Sequence, residues 1–221
     1  MRKLTGEKLE QELLRLEAMK EYEKEYREKL GDDVLICGID EAGRGPLAGP
    51  VVAGACILPT DCTILRLNDS KKISEKVREE LFLEIQEKAV SWGVGIVSPA
   101  VIDEINILQA TYEAMRQAVS RLSCEPKIFL NDAVIIPGIE EARQVKIIKG
   151  DAKSVSIAAA SILAKVTRDH MMMEYDSIYP EYGFAKHKGY GTRAHMDAIR
   201  EFGMTPIHRR SFLKKMEQND K

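Results

Sequence analysis

Val34-Leu35-Ile36-Cys37-Gly38-Ile39-Asp40-Glu41 is an apolar run that ends in two adjacent carboxylates. A turn rich in glycine and proline follows, Gly43-Arg44-Gly45-Pro46-Leu47-Ala48-Gly49-Pro50, and then a second apolar run over residues 51–58. Two such runs joined by a turn read as paired β-strands. An early hairpin argues against an all-parallel sheet, in which each strand would hand over to a helix. The acids pose an electrostatic problem: two like charges about 4 Å apart repel by roughly 4 kcal/mol at an effective dielectric near 20. A divalent metal is the usual remedy. Neighbouring strand residues point to opposite faces. Asp40 and Glu41 therefore share one site only if the strand breaks or bulges, or if Glu41 uses its longer reach or its carbonyl.

Outward from this stretch, three more strand-like runs appear, near 92–98, 127–130 and 145–148. A single charged helix is expected over 5–30, with Thr5 as its N-cap, Leu9, Leu13 and Leu16 at helical spacing, and Gly31 as its stop. It reads as a solvated appendage, residues 1–33. Ser74 is expected to cap a helix carrying Val77, Leu81 and Ile85 on one face. Asn106 is expected to cap a helix over 107–122. Residues 156–173 read as a helix with a face of small residues, Ala158, Ala159, Ala160, Ser161 and Ala164, suited to close packing on a sheet. A loop at 182–191 and a last helix near 192–202 complete the pattern. The class is α/β: a mixed five-stranded sheet flanked by helices, with a C-terminal helical region. The main domain is expected over 34–213 and a flexible tail over 214–221.

Composition bounds the function. The chain has 221 residues, 44% of them hydrophobic and 31% charged, the profile of a globular protein. There is no apolar run of about 18 residues to cross a membrane. The first residues lead into charge, so a cytoplasmic location is expected. Cys37, Cys56, Cys62 and Cys124 lack Cys-x-x-Cys spacing, so zinc is not expected from them, and Cys37 and Cys56 read as buried thiols. Residues 143–221 carry 15 Lys and Arg against 9 Asp and Glu, although the whole chain has a net charge of −2. A basic C-terminal third suits contact with a polyanion.

Acids recur at strand ends: Asp40 and Glu41, then Asp132, then Asp151. In open α/β sheets, sites form beyond the carboxyl ends of strands. Four carboxylates are hard donors that suit Mg²⁺ or Mn²⁺, and they can hold two ions about 3.5–4 Å apart for phosphodiester cleavage. Gly43-x-Gly45-x-x-Ala48 mimics a dinucleotide fingerprint, but a strand follows where that motif needs a helix. Asn68-Asp69-Ser70-Lys71-Lys72, Lys149-Gly150-Asp151-Ala152-Lys153-Ser154, His187-Lys188-Gly189-Tyr190-Gly191-Thr192 and His208-Arg209-Arg210-Ser211-Phe212 read as polyanion contacts.

Taken together, the run from Gly38 to Val52, these four segments, Asn106-Ile107-Leu108 and the stretch Ala158-Ala159-Ala160-Ser161-Ile162-Leu163-Ala164-Lys165-Val166-Thr167-Arg168-Asp169 closely resemble ribonuclease HII, in order, over about 34–213. The resemblance implies a ribonuclease H-like fold. It implies a two-metal endonuclease that cuts the RNA strand of RNA–DNA hybrids and duplex DNA containing ribonucleotides; a monomer is expected. The family's acids map onto Asp40, Glu41, Asp132 and Asp151, with Asp169 the other candidate for the fourth. The family's Asp-Gly is here Asp132-Ala133. Gly43, Arg44, Gly45 and Tyr190 map onto the reader of the ribonucleotide junction. Lys71, Lys72, Lys153 and Ser154 are candidate phosphate contacts. The alternatives are a ribonuclease HIII-type enzyme, which typically has another motif at the turn and a larger N-terminal domain, and a nucleic-acid-binding protein without catalysis.

Overall fold

The structure is a computed structural model and describes residues 4–219. Five strands form one mixed sheet: β1 (Ile36–Ala42), β2 (Val51–Ile57), β3 (Ser91–Val97), β4 (Ile128–Asp132) and β5 (Gln144–Ile147), in the order β3-β2-β1-β4-β5. The hairpin expected across the glycine turn exists: β1 and β2 pair antiparallel, as do β2 and β3, whereas β1–β4 and β4–β5 are parallel.

Helix α4 (Pro99–Ser120) covers one face of this sheet and α5 (Val155–Ile178) the other. The small-residue face of α5 does what its composition suggests. Ala158, Ala159 and Ala160 are fully buried, and the helix lies so close that a Cβ on Gly38 would stand 2.0 Å from the carbonyl carbon of Ser156. On the face under α4, Ile39, Val51, Ala53, Ala55 and Ile57 of the sheet pack with Ile102, Ala114 and Met115 of the helix. Helix α3 (Glu75–Lys88) is capped by Ser74, whose hydroxyl accepts from Val77 N, and packs on α5.

Two elements start earlier than their patterns suggest. Helix α4 begins at Pro99 with Ser98 as its N-cap. Asn106 does cap a helical segment, accepting from the amides of Leu108 and Gln109, but from a kink inside α4 where its φ is 67°. Helix α5 begins at Val155, with Ser154 as its cap.

The expected single N-terminal helix is two, α1 (Glu7–Ala18) and α2 (Glu21–Leu30). Gly6, not Thr5, is the N-cap, while Gly31 does end the second helix. The break falls at Met19 because its carbonyl accepts from Val155 N at 3.1 Å and its side chain is buried. Leu16 and Met19 join the core beneath α3 and α5, and Tyr22 and Tyr26 pack against Ile36, Ile128 and Ile157. The segment is docked on the domain rather than solvated.

After α5 come α6 (Phe184–His187), α7 (Arg193–Phe202) and α8 (Arg210–Asn219). The stretch expected to be a tail is thus helical as far as Asn219, and residues 220–221 lie outside the described residues. Among the described residues no helix is long and apolar enough to cross a membrane. Cys37 and Cys56 are free and fully buried, and burial pushes the Cys37 thiol up to about 12.

Candidate active site

Asp40 and Glu41 sit inside β1, with no bulge. Their pairing with β2 runs unbroken from Cys37–Ile57 to Ala42–Val52. On the other side, pairing with β4 stops at Ile39–Asn131, so neither acid has a strand beside it there. Both acids nevertheless line one cavity of about 410 Å³. The expected break or bulge is absent, and the pairing of β1 with β4 ends before the two acids instead.

Asp132 closes β4, and its Oδ1 accepts from Gly150 N at 2.7 Å. This bond ties the end of β4 to the short turn Gly150–Ala152 that carries Asp151. The four acids feel one another. Burial first, then the charges of Glu41, Asp132 and Asp151, hold the Asp40 carboxyl well above the usual carboxylate range. Its Oδ1 accepts from Glu41 N at 2.7 Å, which offsets only part of this. Burial raises Glu41 as well, against the nearby Arg44 guanidinium at 3.3 Å. Asp151 is raised by burial, then by Asp69 and Asp132.

These groups fit a divalent cation by chemistry. All are oxygen donors, Asp40 is 7% exposed, and the buried Glu41 Oε2 has no hydrogen-bond partner. Among the described residues, as their side chains stand, no three such groups converge closely enough to close around an ion. A cation would supply the counter-charge that these mutually repelling carboxylates need to come together. Asp169, the other candidate for the fourth acid, is committed elsewhere. It is buried and ion-paired with Lys165 at 2.7 Å and Arg78 at 4.0 Å.

The glycine turn forms the next wall of the cleft. Gly43 has φ +93°, and a Cβ there would meet Arg168 Nε at 2.1 Å. Arg44 and Gly45 are exposed, and the half-exposed Tyr190 ring borders Gly45. Leu47 N and Ala48 N both donate to Gly189 O, which stitches the turn to the Tyr190 loop. Lys71, Lys165 and Arg168 supply positive charge around the same cavity. A second cavity, of about 430 Å³, borders α4 and β4 and touches none of these acids.

Several expectations change. Ser154 is not a phosphate contact: it is fully buried, its hydroxyl caps α5 by accepting from Ile157 N, and it donates to Glu23 Oε1 at 2.6 Å. His208 and Arg209 are not polyanion contacts either, being 2% and 0% exposed. Arg209 instead holds the carbonyls of Gly43, Arg44 and Gly49. Burial and then the Arg168 charge pull its guanidinium down to about 9, so it remains charged at neutral pH. Arg168 binds the carbonyls of Ala48, Pro50 and Lys188. Part of the basic excess of the C-terminal third is therefore internal scaffolding. Lys72 and Lys153 are exposed, and Lys72 pairs with Asp69 at 3.8 Å. Asp69 itself was not singled out by the sequence, although it lies close enough to help raise Asp151.

The family model for ribonuclease HII matches residues 37–215. The ribonuclease HII of Lachnoclostridium phytofermentans is 60% identical over 210 residues, covering 95% of this chain and 81% of that protein. That of Clostridioides difficile is 56% identical over 200 residues, covering 90% and 77%. Among solved structures, the ribonuclease H2 of Pyrococcus horikoshii superposes with a TM-score of 0.66 at 31% identity, covering 80% of this chain and 93% of that one. A ribonuclease HIII bound to Mn²⁺ shares the fold at 17% identity, with a TM-score of 0.59 over 80% of this chain and 67% of that one. On a family match that spans most of the chain and relatives this similar, the chain belongs to the ribonuclease HII family and is a ribonuclease H, a metal-dependent nuclease.

Proposed function

We propose that the protein is an endonuclease that hydrolyses the RNA strand of RNA–DNA hybrids. It also cuts on the 5′ side of ribonucleotides embedded in duplex DNA, leaving 3′-hydroxyl and 5′-phosphate ends. One observation carries this reading: Asp40 and Glu41 share a single cavity with Gly43, Arg44, Gly45 and Tyr190. A cutting centre and a surface able to sense a 2′-hydroxyl stand side by side.

Asp40, Glu41, Asp132 and Asp151 hold Mg²⁺ or Mn²⁺. Two such ions, when bound, supply charge neutralisation at the phosphate and a water acidic enough to attack it. The protein's own part is binding and alignment. Arg44, Lys71, Lys72 and Lys153 are exposed cations on the approach to the acids and meet the phosphate backbone. The exposed backbone of Gly45 lets a sugar come close, and a 2′-hydroxyl is what separates RNA from DNA at a given site. Tyr190 offers its ring to the sugar just past the junction. Lys165 and Arg168, fixed by Asp169 and by backbone carbonyls, keep the cleft wall positive.

The test is cleavage of two substrates by the purified protein with Mg²⁺ or Mn²⁺: a continuous RNA–DNA hybrid and a DNA duplex with one ribonucleotide. Both should be cut, the second on the 5′ side of the ribonucleotide. Cleavage of the hybrid alone would favour a ribonuclease HIII-type specificity, and cleavage of neither would leave only binding.

A further inference from the structure

Three histidines lie behind Tyr190, away from the acids. His195 and His208 are 0% and 2% exposed, and their Nε2 atoms stand 3.0 Å apart. Each ring's other nitrogen meets a backbone group whose role is fixed. Thr205 N can only donate, and it lies 2.9 Å from His208 Nδ1, with the Thr205 hydroxyl 2.8 Å from the same atom. His208 Nδ1 is therefore an acceptor, and its proton sits on Nε2. The Tyr190 carbonyl can only accept, and it lies 2.9 Å from His195 Nδ1. His195 therefore carries its proton on Nδ1 and accepts at Nε2. The two assignments agree at the contact they share. One chain of donors runs from Thr205 through His208 and His195 to the Tyr190 carbonyl, with both rings neutral.

The chain ends on a residue whose side chain lines the cavity. Tyr190 is 46% exposed, and the placement of its backbone decides where its side chain leaves the loop. Its carbonyl receives Thr192 N at 2.8 Å as well as His195. His187 pins the other side: its ring is stacked 4.5 Å from His195, its Nδ1 accepts from Gly189 N, and its carbonyl accepts from Tyr190 N. Phe184 and Tyr182 pack against the histidine rings and exclude water.

We propose that His195, held by His208, is a positioning residue that fixes the Tyr190 ring and thereby the preference for a single ribonucleotide junction over a continuous hybrid. The proposal rests on the junction-reading role given to Tyr190 above. A stacking platform works only if its plane is held, and removing His195 leaves the carbonyl one donor.

The experiment measures the ratio of kcat/KM on a single-ribonucleotide duplex to that on a long hybrid, in wild type, Tyr190→Ala, His195→Asn and His195→Gln. Asn keeps an N–H where Nδ1 stands; Gln places its amide near Nε2 and loses the donor to Tyr190. Tyr190→Ala and His195→Gln are expected to lower the ratio by about fivefold or more, as loss of an aligned stack does. His195→Asn is expected to stay within about twofold of wild type, because its remaining donor keeps the Tyr190 plane. If Tyr190→Ala lowers the ratio and His195→Gln does not, or if Asn and Gln lower it equally, the positioning role is overturned while the reading of Tyr190 stands. An unchanged ratio in Tyr190→Ala overturns both. A second measurement needs no variant: ¹⁵N chemical shifts of the wild-type histidines should show His195 protonated on Nδ1 and His208 on Nε2. The opposite tautomers would overturn the chain.

Discussion

Arg209 Nη2 donates to the Gly43 carbonyl at 2.6 Å from the buried side of the glycine turn. The same guanidinium reaches Arg44 O at 2.9 Å and Gly49 O at 2.8 Å, so one side chain fixes both ends of the turn. Asp103 is the acid that lies close enough to favour its charge, and backbone dipoles do most of the compensation. Arg209→Ala strips three carbonyls of their donor and should destabilise the fold by about 3 kcal/mol. Arg209→Lys keeps the charge but not the fork, and should fall between. Urea titration of both variants checks this, and a loss under about 1 kcal/mol for the Ala variant would contradict the scaffolding role.

Asp40 is buried beside three other acids, and its carboxylate is disfavoured in the protein alone. Asp40→Asn removes one charge with little change of shape. Without divalent ions the variant should therefore melt at or above the wild-type temperature. Wild type should gain stability on adding Mg²⁺ or Mn²⁺, since a cation bound by the folded state stabilises it by mass action. The variant should gain less, and its cleavage should fall on the order of a thousandfold. Thermal melts in EDTA and in each metal check the set. A variant that melts lower in EDTA and keeps the full metal response would contradict this placement of the charge.

Local pattern carried much of this architecture. The two apolar runs around the turn and the small face of α5 are written in neighbouring residues, and each reads correctly from local pattern, whereas of the acids expected at strand ends Asp40 and Glu41 lie inside β1 and Asp132 closes β4. What the pattern left out depends on contacts across the chain. Nothing local says that the pairing of β1 with β4 ends at Ile39–Asn131, short of the two acids. Ser154 looks like an anion-binding residue until Glu23, 131 positions away, takes its hydroxyl. His208 and Arg209 look like an exposed basic cluster, because burial of a charge without an acid partner is rare. The N-terminal helix is rich in charge, and only the docking of Leu16 and Met19 shows where it belongs.

Glu23 is the most consequential of these distant partners. Its Oε1 accepts from Ser154 Oγ at 2.6 Å and from Ser156 N at 3.0 Å, so α2 supplies a cap to the first turn of α5. That turn begins just after Asp151. Glu23→Ala should cost about 1–2 kcal/mol, as loss of a helix cap does. It should also lower activity, because the segment holding Asp151 loses its anchor. Glu23→Gln keeps an acceptor and should be milder. Urea unfolding paired with a metal titration of cleavage separates the two effects, and an Ala variant with wild-type stability would show that the cap is dispensable.

The histidine pair also predicts how stability depends on pH. Burial, and then the His195 charge, lower His208 from 6.5 to about 4, and burial lowers His195 too. A histidine depressed in the folded state is protonated first in the unfolded chain. Between about pH 4 and 6.5 the unfolded state therefore binds more protons, and stability rises with pH. The contribution is complete above 6.5 and is lost as pH falls towards 4. The raised acids oppose this slope, since Asp40, Glu41 and Asp151 take up protons more readily when folded and gain from acid. A bare wild-type curve mixes the two, so the comparison must be with His208→Gln. That variant cannot take up the proton, while the acids remain. Its stability should be lower than wild type at pH 7, because the donor chain is altered, and should fall less steeply between pH 6.5 and 4. Denaturation at four or five pH values in EDTA gives both curves, and parallel curves would mean that His208 titrates as it does in the unfolded chain.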